Sequence, residues 1–240
     1  MRKIFFLIIS LLVGATLFSQ THFSKSKPIV YTKTNIATIK DTSVKLKVIK
    51  IDLKAQKGFN IDSVVVVEQK ARLEESVIHF YKDSKVVQKT LVPFWIKNLI
   101  PVAEFADFNK DGIPDIKFRI RTLEKGTTAL LNYKVFLMSQ QNKYKVMSFV
   151  DFSSEKEYDL NGDGIAEIIG CSSTNFNGKN YWVFNLYNWV NGSLKSVSKD
   201  YDYPIWTLVD NKTNKVIAKD IPAETKLTTL RAFPNEYYAK

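Results

Sequence analysis

Asp107-Phe108-Asn109-Lys110-Asp111-Gly112-Ile113-Pro114-Asp115-Ile116 decides the reading of this chain, because it occurs twice. It returns as Asp159-Leu160-Asn161-Gly162-Asp163-Gly164-Ile165-Ala166-Glu167-Ile168, with six of the ten positions identical. The shared pattern is D-x-N-x-D-G-I-x-[DE]-I. Oxygen-bearing side chains fall at turn positions 1, 3 and 5, and a glycine at 6 permits a sharp turn. The carbonyl of position 7 joins them, and an acid at 9 completes the shell directly or through water. Those are the offsets with which a loop wraps a hard cation.

Each turn gathers three carboxylates: Asp107, Asp111 and Asp115 in the first, Asp159, Asp163 and Glu167 in the second. Held close together they repel, and a cation between them removes the cost. Ca²⁺ takes six to eight oxygens in flexible geometry, whereas Mg²⁺ demands an octahedron and keeps its waters, so Ca²⁺ is the better candidate. A helix-loop-helix EF-hand is excluded. Its bidentate glutamate at position 12 would fall on Phe118 and Gly170, neither of which can serve. Both turns run into β-rich segments, Ile116–Ile120 and Ile168–Ile169. The alternative is a pair of ordinary Asp/Asn/Gly hairpin turns.

Outward from the turns, the chain reads as strands. Val64–Val67, Val77–Tyr81, Ile116–Ile120 and Tyr181–Phe184 are β-branched or aromatic runs, several alternating with period two. Hairpins recur at similar spacing: Val77–Tyr81 with Val86–Leu91, Tyr133–Met138 with Tyr144–Met147, and Tyr181–Tyr187 with Trp189–Leu194. The last of these runs contains Asn191-Gly192, a strong hairpin turn signal. Ile205–Val209, a turn around Asn211–Asn214 and Val216–Ile217 form a further candidate. Units of roughly 50 residues with four antiparallel strands each have the size of propeller blades. The expectation is an all-β, β-propeller-like fold of antiparallel four-stranded repeats, with a β-sandwich as the alternative. No Gly/Pro/Ser linker interrupts residues 45–235, so residues 20–240 read as a single domain.

The N-terminus reads differently. Arg2 and Lys3 precede an apolar run from Ile4 to Phe18, followed by Ser19-Gln20 and a polar stretch. That is the pattern of an export signal covering residues 1–19, cut between Ser19 and Gln20. The run is shorter than the roughly 20 residues that span a bilayer, so no stable membrane span is expected in the mature chain; an uncleaved anchor is the alternative. No cysteine near the cut offers a lipid attachment point. An extracytoplasmic location follows: periplasm, cell surface or secreted. The single cysteine, Cys171, excludes an intramolecular disulfide and reads as a small buried hydrophobe. A net charge of +11 is carried mostly by scattered lysine. Nucleic-acid recognition favours clustered arginine, and none is expected here.

The two turns, with Ala106 and Tyr158 before them, resemble the calcium loops of the FG-GAP/VCBS repeat family of integrin-like and bacterial β-propellers. The similarity is specific over ten residues twice and loose over residues 100–198. It implies a Ca²⁺ ion in each loop. The ligands it implies are Asp107, Asn109, Asp111 and Asp115 in one and Asp159, Asn161, Asp163 and Glu167 in the other. Ile113 and Ile165 would add backbone carbonyls. The Phe-Gly and Gly-Ala-Pro signatures that name the family are absent.

Catalytic patterns are scarce. His22 lies beside the expected cleavage site, and His79 alternates within a strand, where packing is its simplest role. No P-loop, nucleotide fingerprint or zinc spacing occurs, and acids engaged in metal turns are not free for glycoside chemistry. Trp95, Trp182, Trp189 and Trp206 read as packing residues, with a protein or carbohydrate contact open for one or two of them. The expected function is a non-enzymatic, calcium-binding binding or adhesion module whose partner is a protein or cell-surface carbohydrate. The alternatives are an inhibitor of a secreted hydrolase such as lysozyme, or an extracytoplasmic hydrolase.

Overall fold

The computed structural model describes residues 27–41, 46–67, 76–94, 96, 99–121, 131–152, 156–209 and 217–240. The expected export segment, His22, Trp95 and the turn around Asn211–Asn214 lie outside them.

An extended N-terminal segment contributes three short strands: β1 (Lys27–Pro28), β2 (Thr32–Asn35) and β3 (Ala37–Asp41). Twelve more follow as three successive four-stranded groups. The first is β4 (Leu46–Asp52), β5 (Ser63–Val67), β6 (Ser76–Lys82) and β7 (Lys85–Val92). The second is β8 (Leu99–Ala106), β9 (Asp115–Arg121), β10 (Leu131–Gln140) and β11 (Lys143–Phe152). The third is β12 (Tyr158–Asp159), β13 (Glu167–Phe176), β14 (Lys179–Val190) and β15 (Ser193–Ser196). After them come β16 (Ile205–Leu208), a five-residue helix α1 (Ala223–Leu227) and β17 (Tyr238–Ala239).

Each group is an antiparallel meander in which sequence neighbours pair. The turns explain the pairing. Asp83-Ser84, Gln141-Asn142, Asn177-Gly178 and Asn191-Gly192 each join two strands, and both residues of every pair have positive φ. Two positive φ values give the backbone twist that matches a right-handed strand pair.

The N-terminal segment then completes all three sheets. β1 pairs with β12, β2 with β8 and β3 with β4, so one stretch of chain adds a strand beside the first strand of every meander. The result is three antiparallel sheets of five, six and six strands, called here C, B and A in chain order. The all-β expectation holds. Ring closure does not appear: among the described residues the three sheets form no closed propeller. The fourth hairpin expected from Ile205 onward is not a separate unit. β16 instead joins sheet A against β14, and Ile217 makes only an isolated bridge to Thr207.

Sheet B is the middle layer. One of its faces, with Phe118, Val135, Leu137 and Val146, packs on Ile49, Ile51, Val64, Val66 and Phe80 of sheet C. Its other face, with Phe136, Met138, Met147 and Phe149, packs on Ile168, Tyr187, Trp189 and Leu194 of sheet A. Period-two alternation puts both sets on the same strands. Trp182, Trp189 and Trp206 are buried, Cys171 is buried in the apolar cluster on the far face of sheet A, and His79 is half-buried on β6. β17 pairs with β11, so chain from both ends of the described fold edges sheet B.

The face of sheet B toward sheet A is apolar at one end and ionic at the other. Glu104, Lys117, Lys134, Asp151 and Glu157 gather there with side chains no more than 8% exposed. Lys117 Nζ lies 2.6 Å from Glu157 and 3.4 Å from Glu104, and Lys134 Nζ lies 2.7 Å from Asp151 and 3.4 Å from Glu157. Burial pushes the Lys117 ammonium down, with Lys134 adding to it and Glu104 opposing, and it lifts the Glu157 carboxyl to about 8 against a backbone hydrogen bond.

Candidate metal centre

The two acidic turns occupy corresponding places in neighbouring sheets. The first joins β8 to β9, the opening strands of the second meander, and the other joins β12 to β13, the opening strands of the third. Position 9 of each turn, Asp115 or Glu167, is the first residue of the strand that follows.

Their hydrogen-bond frames share four bonds and differ at one: Asp107 Oδ1 accepts the position-5 N–H of Asp111, whereas Asp159 Oδ1 accepts the position-4 N–H of Gly162. Asp107 Oδ2 accepts the N–H of Gly112 at 2.9 Å, and Asp159 Oδ2 accepts that of Gly164 at 3.0 Å. Asn109 Oδ1 accepts the Asp111 N–H at 3.2 Å, as Asn161 Oδ1 accepts the Asp163 N–H at 2.9 Å. Asp111 Oδ1 takes the Ile113 N–H at 2.9 Å, and Asp163 Oδ1 takes the Ile165 N–H at 2.7 Å. Short polar side chains folding onto the N–H two residues ahead are what Asx turns are made of. Gly112 and Gly164 sit at φ of 87° and 86°, which a side chain tolerates poorly. Position 4 is also left-handed in both, with Lys110 at 58° in one turn and Gly162 at 80° in the other.

The acids at position 9 turn away from the rim. Asp115 accepts N–H bonds from Phe108 at 2.8 Å and Ser139 at 2.6 Å, one on each oxygen. Glu167 accepts the Leu160 N–H at 2.7 Å and the Asn188 amide at 3.4 Å. Both acids are braces that tie position 2 of the turn to the sheet. Burial lifts Asp115 to about 7 against the pull of those N–H groups, and Asp111 pushes the same way as burial. Glu167 is raised by burial too, with Asp163 and Asp159 adding to it.

The oxygens of positions 1, 3 and 5 remain on the rim, where a hard cation meets carboxylate, amide oxygen and water together. Carboxylates alone do not make the cage: among the described residues no three His, Cys, Asp or Glu side chains converge as metal ligands. A mixed shell with Asn109 or Asn161 and the carbonyl of Ile113 or Ile165 is the chemistry Ca²⁺ accepts. One observation favours an electropositive guest: like charges crowd each turn, Asp111 raising the Asp115 carboxyl and Asp163 and Asp159 raising that of Glu167. The residues therefore fit Ca²⁺ at positions 1, 3, 5 and 7, with position 9 holding the turn's shape.

Three participants escaped the sequence reading. Ser139 donates from its hydroxyl to Asp111 at 2.6 Å, Asn188 serves Glu167, and Lys110 donates to the carbonyl of Asp163 in the other turn. Ser139 and Asn188 stand on strands far from the motif, so only sheet register brings them in. Lys110 was visible as the one cation inside either motif.

No family model, no curated protein and no solved structure matches the chain.

Proposed function

We propose that this chain is an exported, calcium-stabilised, non-enzymatic binding or adhesion module built from FG-GAP/VCBS-type repeats. The observation that carries the reading is that the two turns share four hydrogen bonds, in which positions 1, 3, 5 and 9 accept from the N–H groups of positions 6, 5, 7 and 2, since turns unrelated in purpose have no reason to agree there. Three consecutive four-stranded meanders support a propeller-like ancestry. The N-terminal segment occupies the strand edge beside each meander. In this reading Ca²⁺ stiffens the turns on one side of the A–B seam, and the partner, a protein or a cell-surface carbohydrate, binds the assembled sheets.

A thermal melt of the purified mature protein with Ca²⁺ and with chelator tests the metal. At free Ca²⁺ a hundred times Kd, linkage gives about 2.7 kcal/mol per site. Kd of order 10⁻⁴–10⁻³ M is usual for extracellular modules. A melting curve indifferent to both additions rejects the metal. A pull-down from envelope extract with and without chelator tests the rest. Polysaccharide supports adhesion, one specific hydrolase supports the inhibitor alternative, and turnover of a glycan or ester panel rejects a non-enzymatic role.

A further inference from the structure

The segment Lys27–Asn35 lies across the seam between sheets A and B, yet it is lightly held by apolar contact. Val30 is 89% exposed, Thr32, Lys33 and Asn35 are exposed, and only Ile29 and Tyr31 pack partly against the core. Beyond it, Ile36 is buried between sheets B and C and donates its N–H to the Pro101 carbonyl at 3.1 Å. The segment is thus an arm with a fixed end at Ile36.

Its polar contacts converge on the buried charges. Lys117 Nζ donates to the Tyr31 hydroxyl at 3.2 Å and sits 4.6 Å from the centre of the Tyr31 ring. Lys33 Nζ lies 3.2 Å from Glu104, the other acid beside Lys117. Ile29 donates its N–H to the Glu157 carbonyl at 3.0 Å. A cation bonded to both the edge and the face of one aromatic ring, away from water, makes a strong local contact.

We infer that Lys117 is a latch for the N-terminal arm, which opens from the A–B seam as a unit while the three meanders stay folded. Opening leaves no stranded charge, because Lys117 keeps Glu157 and Glu104 as partners. The apolar clusters between the sheets lose only the marginal contacts of Ile29 and Tyr31. Such a segment belongs to the low-free-energy end of local unfolding. Opening frees the edges of β8 and β12, two strand edges able to take up an extended peptide.

Amide hydrogen exchange tests the latch, reading the arm (residues 29–35) against β10 and β13 in the full mature chain. Tyr31→Phe, which keeps the ring and removes the hydroxyl, is expected to speed arm exchange severalfold. Lys33→Ala gives a smaller increase, with β10 and β13 unchanged in both. Both variants keep Lys117 paired with Glu157 and Glu104, so wild-type arm exchange in both overturns the latch. Arm and β10 amides accelerating together in Tyr31→Phe also overturns it, because the Tyr31 hydroxyl would then support the core and not the arm.

Discussion

The carbonyl oxygen of Phe108 accepts the main-chain N–H of Ala166 at 2.9 Å, and this bond joins the two acidic turns directly. Phe108 is position 2 of the first turn, and its own N–H is held by Asp115. Ala166 is position 8 of the second. Each turn has a full set of oxygens of its own, but Phe108, bonded to Asp115 through its N–H and to Ala166 through its carbonyl, links the two.

Removing the central carboxylate from one turn should cost one ion. Asp111→Ala and Asp163→Ala are each expected to lose about one bound Ca²⁺ by calorimetric titration, and the double variant both. Because the turns touch, the surviving site should shift in affinity, within the ~0.5–3 kcal/mol by which neighbouring groups interact. Asp111→Asn should be milder, since it keeps an oxygen and relieves repulsion. Loss of all binding in Asp111→Ala with the fold intact would show that the turns share a single site.

Asp115 is expected to matter even without metal. Asp115→Ala leaves the buried N–H groups of Phe108 and Ser139 without acceptors. An unsatisfied buried donor costs about 1–3 kcal/mol, so roughly 2–6 kcal/mol for the two is expected by urea denaturation in chelator. A loss of stability seen only when Ca²⁺ is present would instead make Asp115 a ligand and not a brace.

Glu104 should carry part of the acid sensitivity of the fold. Burial alone would raise its carboxyl, but Lys117, Arg119 and Lys33 overcome that and hold it below the usual carboxylate value. A depressed folded-state value means stability that is complete above the unfolded-state value, near 4.5, and lost as pH falls through the folded one. Glu104→Gln is therefore expected to destabilise by about 1.5–3 kcal/mol at pH 7, the range for hydrogen bonds to charged groups, and by less at pH 3. Equal losses at both pH values would remove the ion pair from the explanation.

The legible parts of this fold were local. Asn191-Gly192 announced its hairpin, and the D-x-N-x-D-G turns announced their own geometry, because both depend on residues adjacent in sequence. Asn177-Gly178 carries the same hairpin signal. What stayed hidden depends on register. Lys117 and Lys134 look like the polar half of alternating strands, and nothing nearby says that sheet A will cover them. Glu157 meets them only after the third meander folds back. The arrangement of the repeats stayed hidden for a related reason. Repeat length suggests blades, but the layering rests on which face of sheet B meets which sheet, and the short polar strands of the N-terminal segment carry almost no pattern.

Gly170 separates packing from metal binding. It lies on β13, where a Cβ would come within 2.8 Å of Cε2 of Tyr187 and 3.2 Å of Cβ of Pro234. The Tyr187 ring is fully buried against sheet B, and Pro234 is buried in the C-terminal segment that edges it. Neither is the free end of a flexible chain, so the added methyl must displace a ring or the segment. Overpacking of a tight core costs typically about 1–3 kcal/mol. Gly170→Ala is expected to destabilise by that amount, read as a lower urea midpoint with an unchanged slope. Both Ca²⁺ ions should be retained, because Gly170 stands two residues past Ile168 and touches no turn oxygen. If Gly170→Ala is neutral, the C-terminal segment is not pressed against β13 as described. If it releases Ca²⁺ without loss of stability, the turns depend on the position of β13 more than on their own hydrogen bonds.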